Sequence, residues 1–195
     1  MYNYYKEARN ISWGTLLECG INQLPVNLGS IADYYGIKII LYSKTDLLRT
    51  FPPDARSGDG FIVNRNKRKQ IFINDKIKNR PRRRFTLAHE LGHAIMNHNT
   101  DTIHYRNSEF DNESNPFELQ ANVFARDILM PATVLAALDI HTPEEIMALC
   151  DISYQSAKIR AERLELLYRR DKFNTHPLEK QVREQFDDFI RGYRK

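Results

Sequence analysis

The chain has 195 residues, a net charge of +4 and two cysteines. That length suits one main domain with an appended helical part, and it can bury a sizeable core without staples. Cys19 and Cys150 are far apart without metal-type spacing, no apolar run is long enough for a membrane span, and the start Met1-Tyr2-Asn3-Tyr4-Tyr5-Lys6-Glu7 lacks signal-peptide character; this argues against a disulfide scaffold or a membrane-spanning protein and implies a cytoplasmic one.

In chain order, residues 1–20 read as a helix with Ala8, Ile11, Leu16 and Leu17 partly periodic, and residues 25–35 as a second helix ended by Gly36. The β-branched run Ile37-Lys38-Ile39-Ile40-Leu41-Tyr42 predicts a short strand. Residues 49–58 read as a loop marked by Pro52-Pro53. Residues 60–64 and 70–74 predict a hairpin across the basic turn Arg65-Asn66-Lys67-Arg68-Lys69. Its second strand, 70–74, is a candidate sheet edge on which extended substrate adds as a further strand. Lys76, Lys78, Arg80, Arg82, Arg83 and Arg84 carry the positive charge on to the next helix, where cations oppose the helix dipole. The cluster either binds something anionic or is a solvated surface paired with acidic residues near Asp111 and Glu113.

The next helix, from near Pro81 to about Asn97, contains His89-Glu90-Leu91-Gly92-His93. Residues four apart lie one above the other on a helix, so His89 and His93 can aim their imidazoles at one metal ion. Glu90, beside the same face, is placed to act as a base toward the attacking water. Leu87, Ala88, Leu91, Ala94, Ile95 and Met96 make the helix apolar around most of its circumference, which predicts burial. A buried carboxylate and two imidazoles need a compensating partner, and one cation serves all three. Gly92 costs a helix interior about 1 kcal/mol relative to Ala, so something packs close to the backbone there.

A catalytic zinc site takes three protein ligands and keeps a fourth position open. His98 and His104 follow too closely and lack the spacing of three-histidine proteases, where Asn99 stands at the third histidine. The helix expected over residues 116–130, with Asn115 as N-cap and Pro116 at its first position, offers Glu118, with Asn122 one turn on to orient a ligand. A Glu at the third helical position also suits a cap and the dipole, and Glu109 and Glu113, in a polar loop spanning residues 97–115, remain alternatives as ligands.

Beyond Pro131, Thr142-Pro143-Glu144-Glu145 predicts a capping box opening a helix to Cys150, followed after Asp151-Ile152-Ser153 by a helix over 154–170. This helix-turn-helix outline over 142–170 either sets Tyr154, Gln155, Lys158 and Arg163 against a duplex or packs on the body through Ile146, Leu149, Ile159, Leu164 and Leu167, and packing is favoured because no base-reading set is evident. Leu178, Val182, Phe186, Phe189 and Ile190 predict a terminal amphipathic helix over 177–192. The fold class is α+β, a small mostly antiparallel sheet packed on helices. The expected division is a core with N-terminal helices over 1–131 and a helical region over 132–195.

The run Arg84-Phe85-Thr86-Leu87-Ala88-His89-Glu90-Leu91-Gly92-His93, then Glu118-Leu119-Gln120-Ala121-Asn122-Val123-Phe124-Ala125 and Leu129-Met130-Pro131, resembles the ImmA/IrrE family of zinc metallopeptidases. Leu24-Pro25-Val26-Asn27-Leu28, Tyr35-Gly36-Ile37 and Gly58-Asp59-Gly60-Phe61-Ile62-Val63 add to the resemblance, which covers roughly residues 10–170. It implies a thermolysin-like (gluzincin) minimal core, one zinc ion on His89, His93 and Glu118, and Glu90 as the catalytic glutamate. It also implies a protein substrate, a helix-turn-helix repressor whose cleavage derepresses mobile-element, phage or stress genes. The oxyanion partner is open among His104, Tyr105 and Tyr154. Two other classes stand beside this one: a DNA-binding regulator with a structural or vestigial metal, and an antirepressor that captures without cutting.

Overall fold

The computed structural model describes residues 2–65, 68–98 and 115–193. Its helices are α1 (Tyr2–Glu18), α2 (Leu28–Tyr34), α3 (Pro53–Ser57), α4 (Arg80–Ile95), α5 (Pro116–Leu129), α6 (Ala132–Ala137), α7 (Pro143–Cys150), α8 (Tyr154–Arg169), α9 (Pro177–Gln185) and α10 (Asp187–Tyr193). Its strands are β1 (Lys38–Leu41), β2 (Gly60–Arg65) and β3 (Arg68–Ile73). Helices with a small sheet make the chain α+β. Among the described residues no helix is long and apolar enough to cross a membrane.

Local chemistry accounts for most boundaries. Gly36, at φ +63°, closes α2 in the left-handed conformation, and the N–H of Ile37 donates back to the Ala32 carbonyl at 2.8 Å. Asn79 caps α4 by accepting from the Arg82 N–H at 3.0 Å. Thr142 and Glu145 form the expected capping box of α7, and Ser153 caps α8. The loop expected over 49–58 contains the short helix α3, because Pro53 stands where a missing N–H costs nothing and opens the helix. The terminal helix is interrupted at Phe186 and resumes as α10.

The sheet order is β1-β3-β2, which corrects two expectations. β3 is the central strand, so the stretch 70–74 is no edge. The sheet is mixed rather than mostly antiparallel: β2 pairs with β3 antiparallel, Phe61 opposite Phe72, while β1 runs parallel to β3, Ile39 beside Ile71. The tight connection between β2 and β3 forces them antiparallel, whereas β1 reaches the sheet through a long connection containing α3 and is under no such constraint.

The chain divides into two compact units. One comprises Met1–Ala8 with Leu28–Ala125, the other Arg9–Asn27 with Arg126–Lys195. In the first, Tyr42, Ala55, Phe61, Val63 and Phe72 form an apolar cluster on one sheet face. The Phe61 and Phe72 rings stack at 4.9 Å, and the Phe51 ring meets both edge-on. The Tyr42 hydroxyl, donating to the Ala55 carbonyl at 2.7 Å, ties α3 to this cluster. The strand faces bearing Ile71 and Ile73 lie under α4, so β2 and β3 are covered on both sides and α4 is buried against them.

In the second unit the buried Asp127 carboxylate takes Arg126 at 2.8 and 3.0 Å and the Arg160 guanidinium at 3.1 Å. Burial pushes the Asp127 pKa up, but the two guanidinium charges more than offset it and hold the carboxyl below its ordinary value. Arg160 also donates to the Met130 carbonyl. This network joins the end of α5 to α8, and in the same unit Ile146, Cys150, Ala157 and Leu164 are buried. Arg160 is buried despite its charge, and its partner Asp127, 33 positions earlier, supplies the reason.

Candidate metal centre

α4 is buried along the motif: His89, Glu90 and His93 are 1%, 2% and 4% exposed. The helical repeat turns both imidazoles to one side, and their Nε2 atoms lie 3.0 Å apart. α5 brings Glu118 opposite them, with Oε2 at 3.2 Å from His89 Nε2 and Oε1 at 3.3 Å from His93 Nε2. Among the described residues these three form the group whose ligand atoms converge as a metal requires. Tetrahedral bonds of ~2.0–2.1 Å put neighbouring ligand atoms roughly 3.3 Å apart, so the donor set fits one zinc-sized cation. Without a cation, acceptor atoms would face each other in a buried place, at a cost met only by protonation.

Glu118 is the third residue of α5, yet its carboxylate is turned to the imidazoles. The cap of α5 comes from the Asn115 side chain, which accepts from the Phe117 N–H at 3.0 Å. Burial works to raise the Glu118 pKa; in the metal-free site the His89 and His93 imidazoles, whenever they are protonated on Nε2, outweigh it by hydrogen bonding and charge and hold the carboxyl well below its ordinary range. Asn122, one turn further, sets its Oδ1 3.0 Å from His89 Nδ1. That acceptor selects the tautomer with Nε2 unprotonated, the one that faces the cluster. Glu109, Glu113, His104 and Tyr105 lie outside the described residues. Tyr154 stands exposed at the start of α8, in the second unit.

The approach of α4 and α5 depends on Gly92. A Cβ there would lie 3.0 Å from Phe124 Cδ1 and 3.3 Å from Ala121 Cα. The helix-propensity cost of Gly is thus matched by backbone-close packing. Gly92→Ala would gain about 1 kcal/mol in propensity against an overpacking cost of about 1–3 kcal/mol. The expected result is a lower urea midpoint, with weakened metal affinity because α5 carries Glu118. Unchanged stability and affinity would show that the helix pair can yield there.

Two arginines of the basic run are occupied within the protein. Arg82 makes a bidentate pair with the buried Asp59 at 2.5 and 2.8 Å, tying the start of α4 to β2. Arg83 donates to the carbonyls of Asp75 and Ile77. These two arginines therefore position α4 rather than offering an anion site, and Asp59, just before β2, is the partner that the sequence did not disclose.

Three further residues escaped sequence reasoning. His98 Nδ1 lies 3.0 Å from His93 Nδ1, its Nε2 lies 3.1 Å from Gln120 Oε1, and Gln120 Nε2 donates to Glu7 at 2.9 Å. His98 follows His93 by five positions, past the end of α4, so helical spacing gives no hint of the contact. The usable signal was Asn97, a residue type that tolerates the left-handed conformation in which a helix folds back on itself.

A family model described as the IrrE N-terminal-like domain, a peptidase family, matches residues 32–162. No curated protein matches the chain.

Proposed function

The chain belongs to the IrrE N-terminal-like domain family of peptidases, and from that membership we propose that it is a zinc-dependent endopeptidase with His89, His93 and Glu118 as ligands and Glu90 as catalytic base. The observation that carries the reading is the convergence of two imidazole Nε2 atoms and one carboxylate within 3.0–3.3 Å of one another, from helices 20 or more residues apart in sequence. A bound zinc ion would polarise the scissile carbonyl and bring the pKa of its water toward ~7. Glu90 takes the proton of the attacking water and returns it to the leaving amine. Asn122 holds His89 in the tautomer that presents Nε2. A thermolysin-like minimal core is consistent with a buried motif helix packed under a small mixed sheet.

Peptidase membership implies a protein substrate. In this reading the substrate is a helix-turn-helix repressor in the cytoplasm, bound extended along β2, which pairs with β3 alone among the described strands. Residues 1–131 carry the chemistry and residues 132–195 select the partner. The DNA-binding alternative has less support: Lys158 and Arg163 share the exposed surface of α8 with Glu162 and Glu165, and Ile146 and Leu164 are buried as packing requires.

The test uses untagged full-length protein. Elemental analysis should find one zinc per chain, and a repressor encoded beside this gene should be cut into two fragments on a gel. A chelator should stop the cut and added zinc restore it. A chain free of stoichiometric metal would end the reading; capture of intact repressor would leave the non-cutting antirepressor in its place.

A further inference from the structure

We propose that His98, backed by Gln120 and Glu7, is a positioning residue that fixes which nitrogen of His93 faces the metal centre. The inference rests on the metal reading above and concerns how that site is held. It follows from the direction of three hydrogen bonds. A carboxylate only accepts, so the Gln120 amide must turn its NH2 to Glu7, at 2.9 Å. Gln120 Oε1 then faces His98 Nε2 at 3.1 Å as an acceptor, so that nitrogen carries the proton. A neutral His98 with Nε2–H has a bare Nδ1, and this lies 3.0 Å from His93 Nδ1. His93 must therefore donate from Nδ1. Its Nε2, 3.3 Å from Glu118 and 3.0 Å from His89 Nε2, is left with the lone pair a metal needs.

Local structure builds this chain. Asn97 adopts φ +54°, and the His98 N–H donates back to the His93 carbonyl at 3.1 Å, a Schellman closure of α4. The Lys69 ammonium binds the Ala94 carbonyl and Asn97 Oδ1 and so anchors the turn to β3. Phe117 packs its ring 4.8 Å from that of His98. His98 and Gln120 are 7% and 4% exposed, so bulk water is a poor substitute for either. Glu7 is exposed, which leaves the far end of the chain on the surface of α1. The two histidine ligands are thus oriented by different means, His89 by the Asn122 amide and His93 by a three-residue chain.

The experiment compares wild type with His98→Phe, His98→Gln and Glu7→Lys as full chains. Zinc affinity is read by competition with a chromophoric chelator, and the ring nitrogens of His93 by 15N NMR on zinc-loaded protein and on metal-free protein at a pH where the imidazoles are neutral. Wild type should show the His93 proton on Nδ1 in both forms. His98→Phe should bind zinc about 10–100-fold more weakly and show metal-free His93 as a mixture of tautomers. His98→Gln, whose amide offers an acceptor to His93 and a donor to Gln120, should recover most of the affinity and the Nδ1 proton. Glu7→Lys, on the surface, should fold as wild type; its donor-only ammonium turns Gln120 Oε1 toward residue 7 and the NH2 toward His98, so zinc binding should weaken by a smaller factor and metal-free His93 lose its preference for the Nδ1 proton, and it decides the question if His98→Phe does not fold. Wild-type affinity and an unaltered His93 tautomer in His98→Phe, or in Glu7→Lys when that variant decides, would overturn the proposal. So would equal losses in the Phe and Gln variants with His93 unchanged, which would mark His98 as packing alone. A wild-type chain that binds no zinc refutes the metal reading, and the tautomer of metal-free His93 still decides the chain.

Discussion

Glu90→Gln is expected to leave zinc affinity at the wild-type level and to reduce cleavage by about 10²–10⁴-fold, the usual contribution of a positioned general base. That loss corresponds to roughly 3–5 kcal/mol of transition-state stabilisation. The amide matches the carboxylate in shape and differs in being unable to take a proton. Because Glu90 is 2% exposed, a shape-conserving change is the one that separates chemistry from packing. His89, His93 and Glu118 are untouched, so the metal should stay. Single-turnover cleavage with zinc content measured on the same preparation checks the prediction. Full activity in the variant would remove Glu90 from the mechanism, and loss of zinc would make it a ligand.

Glu118→Gln should act on the opposite quantity. The carboxylate is the one negative charge in a donor set otherwise made of two imidazoles, and its neighbours at 3.2 and 3.3 Å are those ligand atoms themselves. Its replacement by a neutral amide should weaken zinc binding by more than the ~10–100-fold expected for a residue that merely orients a ligand. Competition with a chelator over a concentration series measures this directly, and cleavage should fall in step with bound zinc. Glu109→Gln and Glu113→Gln, the other carboxylates that the sequence allows as third ligand, should bind zinc as wild type. If either of those loses the metal while Glu118→Gln keeps it, the donor set is wrongly composed.

The contrast between Glu118 and Glu90 shows how far residue pattern reaches. Two histidines and a glutamate on one helix are linked by a period of 3.6, so the chain order of 89, 90 and 93 is already a spatial statement. Glu118 has no such link to them. Its position at the start of α5 is equally that of a capping glutamate, and a capping box of that type does form at Thr142 and Glu145. Only the packing of α5 on α4, which Gly92 permits, turns its carboxylate to the two imidazoles instead. Likewise His98 reads as a histidine with the wrong spacing until the left-handed turn at Asn97 carries it back onto His93.

Sheet topology marks the same boundary. The strand segments were legible from β-branched runs and turn residues, which are local signals. Their order was not: the segment read as an edge is the centre of the sheet, because β1 arrives beside it from an earlier part of the chain. The basic run before α4 was legible as charge, while its pairing with Asp59 required β2 and α4 to meet.

What the amino-acid order alone determined is therefore what short-range periodicity can encode: the longer helices, the caps at Asn115 and Thr142, the strand segments, and the histidine–glutamate face of α4. Tertiary structure alone decided the hydrogen-bonded chain behind His93, the central place of β3 and the burial of Arg160, and it supplied the packing that carries Glu118, already named by the family resemblance, to the two imidazoles. Each of these is a meeting of side chains or strands that no helical or strand repeat relates, and it exists only once separate elements are brought together by packing of their apolar faces.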